Sequence, residues 1–69
     1  MSDISIQLNG EQRSIPTGLS LNGLLETLQL DPRKVAVERN LEIAPRSDYD
    51  AIEIRAGDRL EIVQFVGGG

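Results

Sequence analysis

The segment Ser20–Gln29 places Leu21, Leu24, Leu25 and Leu28 at i, i+3, i+4 and i+7. That spacing predicts a helix with one apolar stripe and therefore one buried face. Ser20 precedes it as an N-cap whose hydroxyl can accept from a free N–H of the first turn. Gly23 weakens the helix by roughly 1 kcal/mol relative to Ala, and its lack of a side chain would permit close approach to a sheet. Asp31-Pro32 is read as the stop, because proline disfavours helical geometry in the residue before it.

Around this helix the apolar pattern has a period of two. Ile4-Ser5-Ile6-Gln7-Leu8 alternates as a half-buried strand does. Asn9-Gly10 suits a tight hairpin turn, and Gln12–Ile15 returns until Pro16-Thr17-Gly18. Val35-Ala36-Val37 reads as a third strand, Asn40 as a left-handed turn residue and Glu42-Ile43-Ala44 as a short fourth strand. Pro45–Asp50 is a loop or brief helical turn, and Leu60–Val66 follows the Ala56-Gly57-Asp58 turn as the last strand. In it Leu60 and Ile62 share one face, and Val63 and Phe65 share the other. Apolar residues on both faces mean a central strand covered twice, or one side left for a partner.

A helix between a hairpin and later strands favours an α+β domain, one mixed sheet of four to five strands with the helix across one face. Right-handed crossover logic sets the last strand beside the first and parallel to it. This is the β-grasp, or ubiquitin-like, architecture. Ile4, Ile6, Leu24, Leu25, Leu28, Val35, Val37, Leu60 and Ile62 are the expected core. Residues 1–66 form the domain, and 67–69 are read as a flexible Gly-Gly-Gly tail.

With 69 residues, no cysteine and no histidine, the chain lacks thiol nucleophiles, disulfides and Ser-His or Cys-His pairs. No catalytic, cofactor-binding or metal residues are assigned. A net charge of −4 disfavours nucleic acid and anionic membrane as partners. A membrane span and a signal leader are not expected, and a reducing cytoplasm suits a cysteine-free domain. Binding or carrying is the better starting expectation than self-contained catalysis.

The carboxylates Glu38, Glu42, Asp48, Asp50, Glu53, Asp58 and Glu61 have no pairing that singles out an acid–base site, and read as solvated surface. Asp58, beside Gly57, reads as a turn residue. Tyr49 and Phe65 are the only aromatics; Tyr49 reads as packing, Phe65 as the better partner contact. Gly67-Gly68-Gly69 adds nothing to a core. Two readings of it stay open: a frayed end, or a thin tether carrying a carboxylate about 10 Å at ~3.3–3.6 Å per residue.

Val35-Ala36-Val37-Glu38-Arg39-Asn40, then Glu42-Ile43, Pro45-Arg46-Ser47 and the run Gly57-Asp58-Arg59-Leu60-Glu61-Ile62-Val63-Gln64-Phe65-Val66-Gly67-Gly68-Gly69 carry a resemblance. Together with the Asn9-Gly10 turn and the Leu-rich helix, the chain resembles the ThiS family, the sulfur carriers of thiamine biosynthesis. It departs at Leu41, where that family often has glycine, and at Ile52, where threonine is frequent.

The resemblance implies a sulfur carrier that is not itself an enzyme. Its C-terminal carboxylate, on Gly69, would be adenylated and then converted to a thiocarboxylate that supplies sulfur for the thiazole ring. Gly67 and Gly68 would thread the partner's active site, with Phe65 and Val66 as the docking contact. ATP and Mg²⁺ would belong to an E1-like adenylyltransferase of the ThiF type. A thiazole synthase of the ThiG type would be the acceptor, and a cysteine desulfurase or rhodanese-type protein the sulfur donor. The competing expectations are a molybdopterin-synthase small-subunit-like carrier and a ubiquitin-like protein modifier.

Overall fold

Asn9 and Gly10 adopt left-handed angles, φ 50° and 83°, the pair of positive values that a two-residue hairpin turn needs to match strand twist. In the computed structural model, which describes residues 2–65, this turn joins β1 (Asp3–Leu8) to β2 (Glu11–Pro16) with Leu8 opposite Glu11. A second such turn, at Asn40-Leu41 (φ 53° and 73°), joins β3 (Val35–Arg39) to β4 (Glu42–Ile43). The last strand, β5 (Arg59–Gln64), runs parallel to β1 and antiparallel to β3. The sheet order is β2-β1-β5-β3-β4, a five-stranded mixed sheet with β5 at its centre.

The helix α1 (Leu21–Thr27) is shorter than its apolar stripe. Both ends account for their backbone groups, as helix termini must. At the start, the Leu21 and Asn22 N–H groups donate to the Ile52 and Tyr49 carbonyls, both at 3.0 Å. Gly23 N–H donates to Ser20 Oγ at 2.9 Å, as the N-cap expectation requires. At the finish Gln29 turns left-handed (φ 61°), with Gln29 N–H on the Glu26 carbonyl and Leu30 N–H on that of Leu25. That is a Schellman stop. It corrects the expectation that Asp31-Pro32 ends the helix at Gln29: the chain has already reversed, and Pro32 instead opens a 3₁₀ turn (Pro32–Lys34) capped by Asp31. Gly23 also serves a different purpose from the one expected. A Cβ there would sit 2.9 Å from Leu19 Cδ1, so the space is needed by the residue before the cap and not by the sheet.

Ile6, Leu24, Leu25, Val35, Val37 and Leu60 are buried as the sequence predicts, while Ile4, Leu28 and Ile62 pack around them partly exposed. Leu8, Ile15, Leu21, Ala44, Tyr49 and Ile54 complete the core. Ala44, Tyr49 and Ile54 come from the long segment between β4 and β5, which carries one short 3₁₀ turn (Arg46–Asp48). Backbone groups at the helix start fasten that segment: its Tyr49 and Ile52 carbonyls accept as above, and its Ile54 N–H donates to the Leu19 carbonyl at 2.9 Å. Each fully buried aliphatic side chain of this core contributes roughly 1.5–3 kcal/mol. No helix among the described residues is long and apolar enough to cross a membrane.

Candidate functional site

The helix covers one face of the sheet, and the other is open. Side chains two apart on a strand share a face, so Leu60 points inward while Glu61, Val63 and Phe65 point outward. Val63 lies opposite Ala36, Glu61 opposite Glu38, and Glu38 opposite Ile43. Val63 is 60% exposed, Phe65 57% and Ile43 67%. Of the two sequence readings of the last strand, the structure takes the second: it is central, covered on one side, with an apolar strip left in solvent on the other.

Phe65 stands at the exit of β5. Its backbone N–H donates to the Lys34 carbonyl at 2.9 Å, which continues the pairing with β3 past Gln64. The side chain is exposed, as a partner contact requires. Val66, assigned with it to docking, and Gly67, Gly68 and Gly69, assigned to the tail and its reacting end, lie outside the described residues.

At the opposite end of β5, the motif residues Arg39, Asn40 and Asp58 meet. Arg39 Nε donates to Asp58 Oδ2 at 3.0 Å, Asn40 Nδ2 to Oδ1 at 3.1 Å, and the Arg55 N–H to Oδ2 at 2.9 Å. Asn40 Oδ1 accepts from the Arg59 N–H at 2.9 Å. Asp58 is 6% exposed, which corrects its reading as solvated surface; of the seven carboxylates considered it is the buried one. Burial opposes its charge, but the donors from Arg55, Asn40 and Arg39 outweigh that and hold its carboxyl below the ordinary 3.8. Asp58 is a turn residue as well, donating its N–H to the Arg55 carbonyl at 3.1 Å. Six strand residues separate this network from the exit, roughly 20 Å at ~3.3 Å each, so it shapes the domain far from Phe65.

Two further side chains matter at the exit: Val63, which strand parity places on the face of Phe65, and Asn9, whose role here turn propensity did not show. Val63 extends the apolar strip. Asn9, read only as a turn former, turns its side-chain amide onto β5: Oδ1 accepts from the Ile62 N–H at 2.7 Å and Nδ2 donates to the Ile62 carbonyl at 3.2 Å. Nearby, Asp31 takes three hydrogen bonds from Arg33. The Arg33 side chain and then its N–H lower the Asp31 carboxyl to about 2. Tyr49 is core, 4% exposed, as its reading as packing anticipates.

A sequence model of the ThiS family matches residues 6–69. Over 66 residues the chain is 48% identical to a thiazole synthase of Paramagnetospirillum magneticum, covering 96% of this chain and 20% of that protein. It is 42% identical to the sulfur carrier protein ThiS of Bacillus subtilis, covering 93% of this chain and 98% of that one. The crystal structure of a thiamine biosynthesis protein (ThiS) from Geobacter metallireducens superposes with a TM-score of 0.82 at 30% identity, covering 96% of this chain and all of that one. The chain spans about a fifth of the length of the first curated relatives that it matches.

Proposed function

The chain belongs to the ThiS family, and from that premise we propose that it is a sulfur carrier of thiamine biosynthesis whose reacting group is the carboxylate of Gly69. The observation that carries this reading is the exit of β5. A strand held at the centre of the sheet ends in an exposed phenylalanine and runs on in sequence into three glycines, all within the family match.

The chemistry follows from the carboxylate. Ionised at neutral pH, with a pKa near ~3.5, it is a poor electrophile. An activating partner of the E1-like type would let it attack the α-phosphorus of ATP, releasing pyrophosphate and leaving an acyl-adenylate. Hydrosulfide would displace AMP directly, or a persulfide would displace it to give an acyl disulfide that a thiol then cleaves, and the carrier would hold a thiocarboxylate without any cysteine of its own. ATP and Mg²⁺ belong to that partner. Thiazole synthase is the proposed acceptor; in support, two proteins of that name contain a segment similar to this chain along nearly its full length.

The domain's part is positioning. Phe65, with Val66 after it, would seat against the activating enzyme, with Val63 and Ala36 extending the apolar contact and Ile43 lying beyond the Glu38–Glu61 pair. Gly67 and Gly68 would pass where a Cβ clashes. Removing Gly69 leaves the new terminus one residue short, and a misplacement of about 1 Å can cost on the order of 10²-fold in rate. The test is intact mass after incubation with an activating enzyme, ATP and a sulfur source. The native chain should gain the mass of one oxygen exchanged for sulfur; the variant lacking Gly69 should not, and Gly68→Ala should gain it slowly. Native-rate thiocarboxylate formation without Gly69 would overturn the proposal.

A further inference from the structure

The pairing of β1 with β5 is short. Gln7 sits beside Arg59 and Leu8 beside Leu60; the Gln7 N–H donates to the Asp58 carbonyl and the Asn9 N–H to the Leu60 carbonyl, both at 2.9 Å. The next rung of a parallel ladder would tie Ile62 to the backbone of the β1 strand. That backbone is gone, because Asn9 and Gly10 have turned left-handed and started β2. The Asn9 side chain supplies the rung instead. Its amide presents an acceptor and a donor, as a peptide group does, and both meet the backbone of Ile62. Beyond it this flank of β5 opens onto a groove between β5 and the end of α1, lined by Leu28, Leu30, Ile62 and Gln64. Among the described residues, Asn9 is thus the last group to pair with β5 on its β1 side.

We propose that Asn9 is a positioning residue for sulfur loading: by standing in for a strand at Ile62, it sets the direction in which β5 delivers the tail. The inference rests on the carrier reading of Gly69. Only Val63 and Gln64 separate Ile62 from Phe65, so a strand supported there on one flank only would swing about its β3 pairing. The apolar contact would still form, but the glycines would enter the partner's active site misaligned in a larger share of encounters. The expected signature is a loss in kcat with little change in KM.

Asn9→Gly suits the test, because glycine accepts φ 50° freely and removes only the amide. Asn9→Asp retains the acceptor and sets an oxygen against the Ile62 carbonyl. Ile15→Val loosens the same hairpin at a core position without touching Ile62. Adenylation kinetics with an activating enzyme and amide hydrogen exchange at Ile62 are measured for all four chains. Asn9→Gly should lose protection at Ile62 and fall on the order of tenfold in kcat, with KM nearly native. Asn9→Asp should lie between it and the native chain, and Ile15→Val should keep native kcat. A native kcat in Asn9→Gly, or an equal fall in Ile15→Val, overturns the inference and leaves the carrier reading standing. A native chain that is never adenylated overturns the carrier reading, and this inference with it.

Discussion

At its entry β5 is tied by a buried carboxylate with three donors, whereas at its exit it keeps its β3 pairing but has a single side-chain amide on its β1 flank, with apolar side chains in solvent. Both ends use an asparagine in a left-handed turn: Asn40 Oδ1 accepts from Arg59 N–H, Asn9 Oδ1 from Ile62 N–H. Asn40 meets a buried carboxylate that is also paired with half-buried Arg39, so the turn is locked strongly enough to hold Leu41 at φ 73°. Around Asn9 the neighbours are apolar, with Leu28, Leu30 and Ile62 partly buried, and among the described residues no charged side chain backs the amide. Stability is concentrated where the strand begins, and the contact surface lies where it ends.

The sharpest way to break this contrast is Asp58→Ala, which strands Arg39, the Asn40 side-chain amide and the Arg55 N–H. It should lower stability by roughly 2–4 kcal/mol in urea unfolding, while the still-folded fraction loads sulfur normally. A resolved loading defect at full folding would show that the entry network reaches the tail. The pH dependence has a definite sign. Because the folded pKa of Asp58 lies below its ordinary 3.8, its contribution is complete above that value and fades as pH falls through the lower folded value, where the native carboxylate takes up its proton. The stability gap between the native chain and Asp58→Asn should be flat from about pH 5 to 7 and shrink below about pH 4. Asp31, lowered in the same sense by Arg33, acts in both chains and cancels.

A smaller effect is expected at the exit. Phe65→Ala should weaken binding to the activating enzyme about tenfold, ~1.4 kcal/mol, with an unchanged unfolding midpoint. If the midpoint dropped and binding per folded molecule held, Phe65 would be a packing residue and the contrast between the ends would fail. Tyr49→Ala is no control for this, since Tyr49 is core; Leu41, exposed at the entry end, is the better one. The smallest change is Leu41→Gly. A left-handed backbone costs a side-chain-bearing residue roughly 1–2 kcal/mol, partly offset by glycine's greater freedom when unfolded. A gain of about 0.5–1 kcal/mol with native docking is expected, read from paired urea curves and binding isotherms; a loss would mean that Leu41 makes a contact worth more than its strain.

The strands, the helix and their order were legible because period and turn chemistry are local: Ile4 to Leu8 alternates, Asn9-Gly10 reverses, and Ser20 caps. The helix end was misjudged because a Schellman stop on Gln29 has no glycine to announce it. The segment carrying Ala44, Tyr49 and Ile54 gave no periodic signal, since its burial comes from carbonyls that meet the helix start. At the site, Phe65 was legible from strand parity beside the glycines. The Asp58 network was not, because its members are 18 and 19 residues apart and polar or charged, and such residues read as surface until a partner is known.

Local pattern thus determined which segments are strands, where the helix lies and that one sheet face carries apolar side chains. Tertiary structure decided what the polar turn residues do. Asn9 and Ile62, 53 positions apart, meet only because a parallel crossover brings β5 beside β1. Hydrogen bonding between such groups depends on distance and direction in space, and neither quantity is written in the order of residues along the chain.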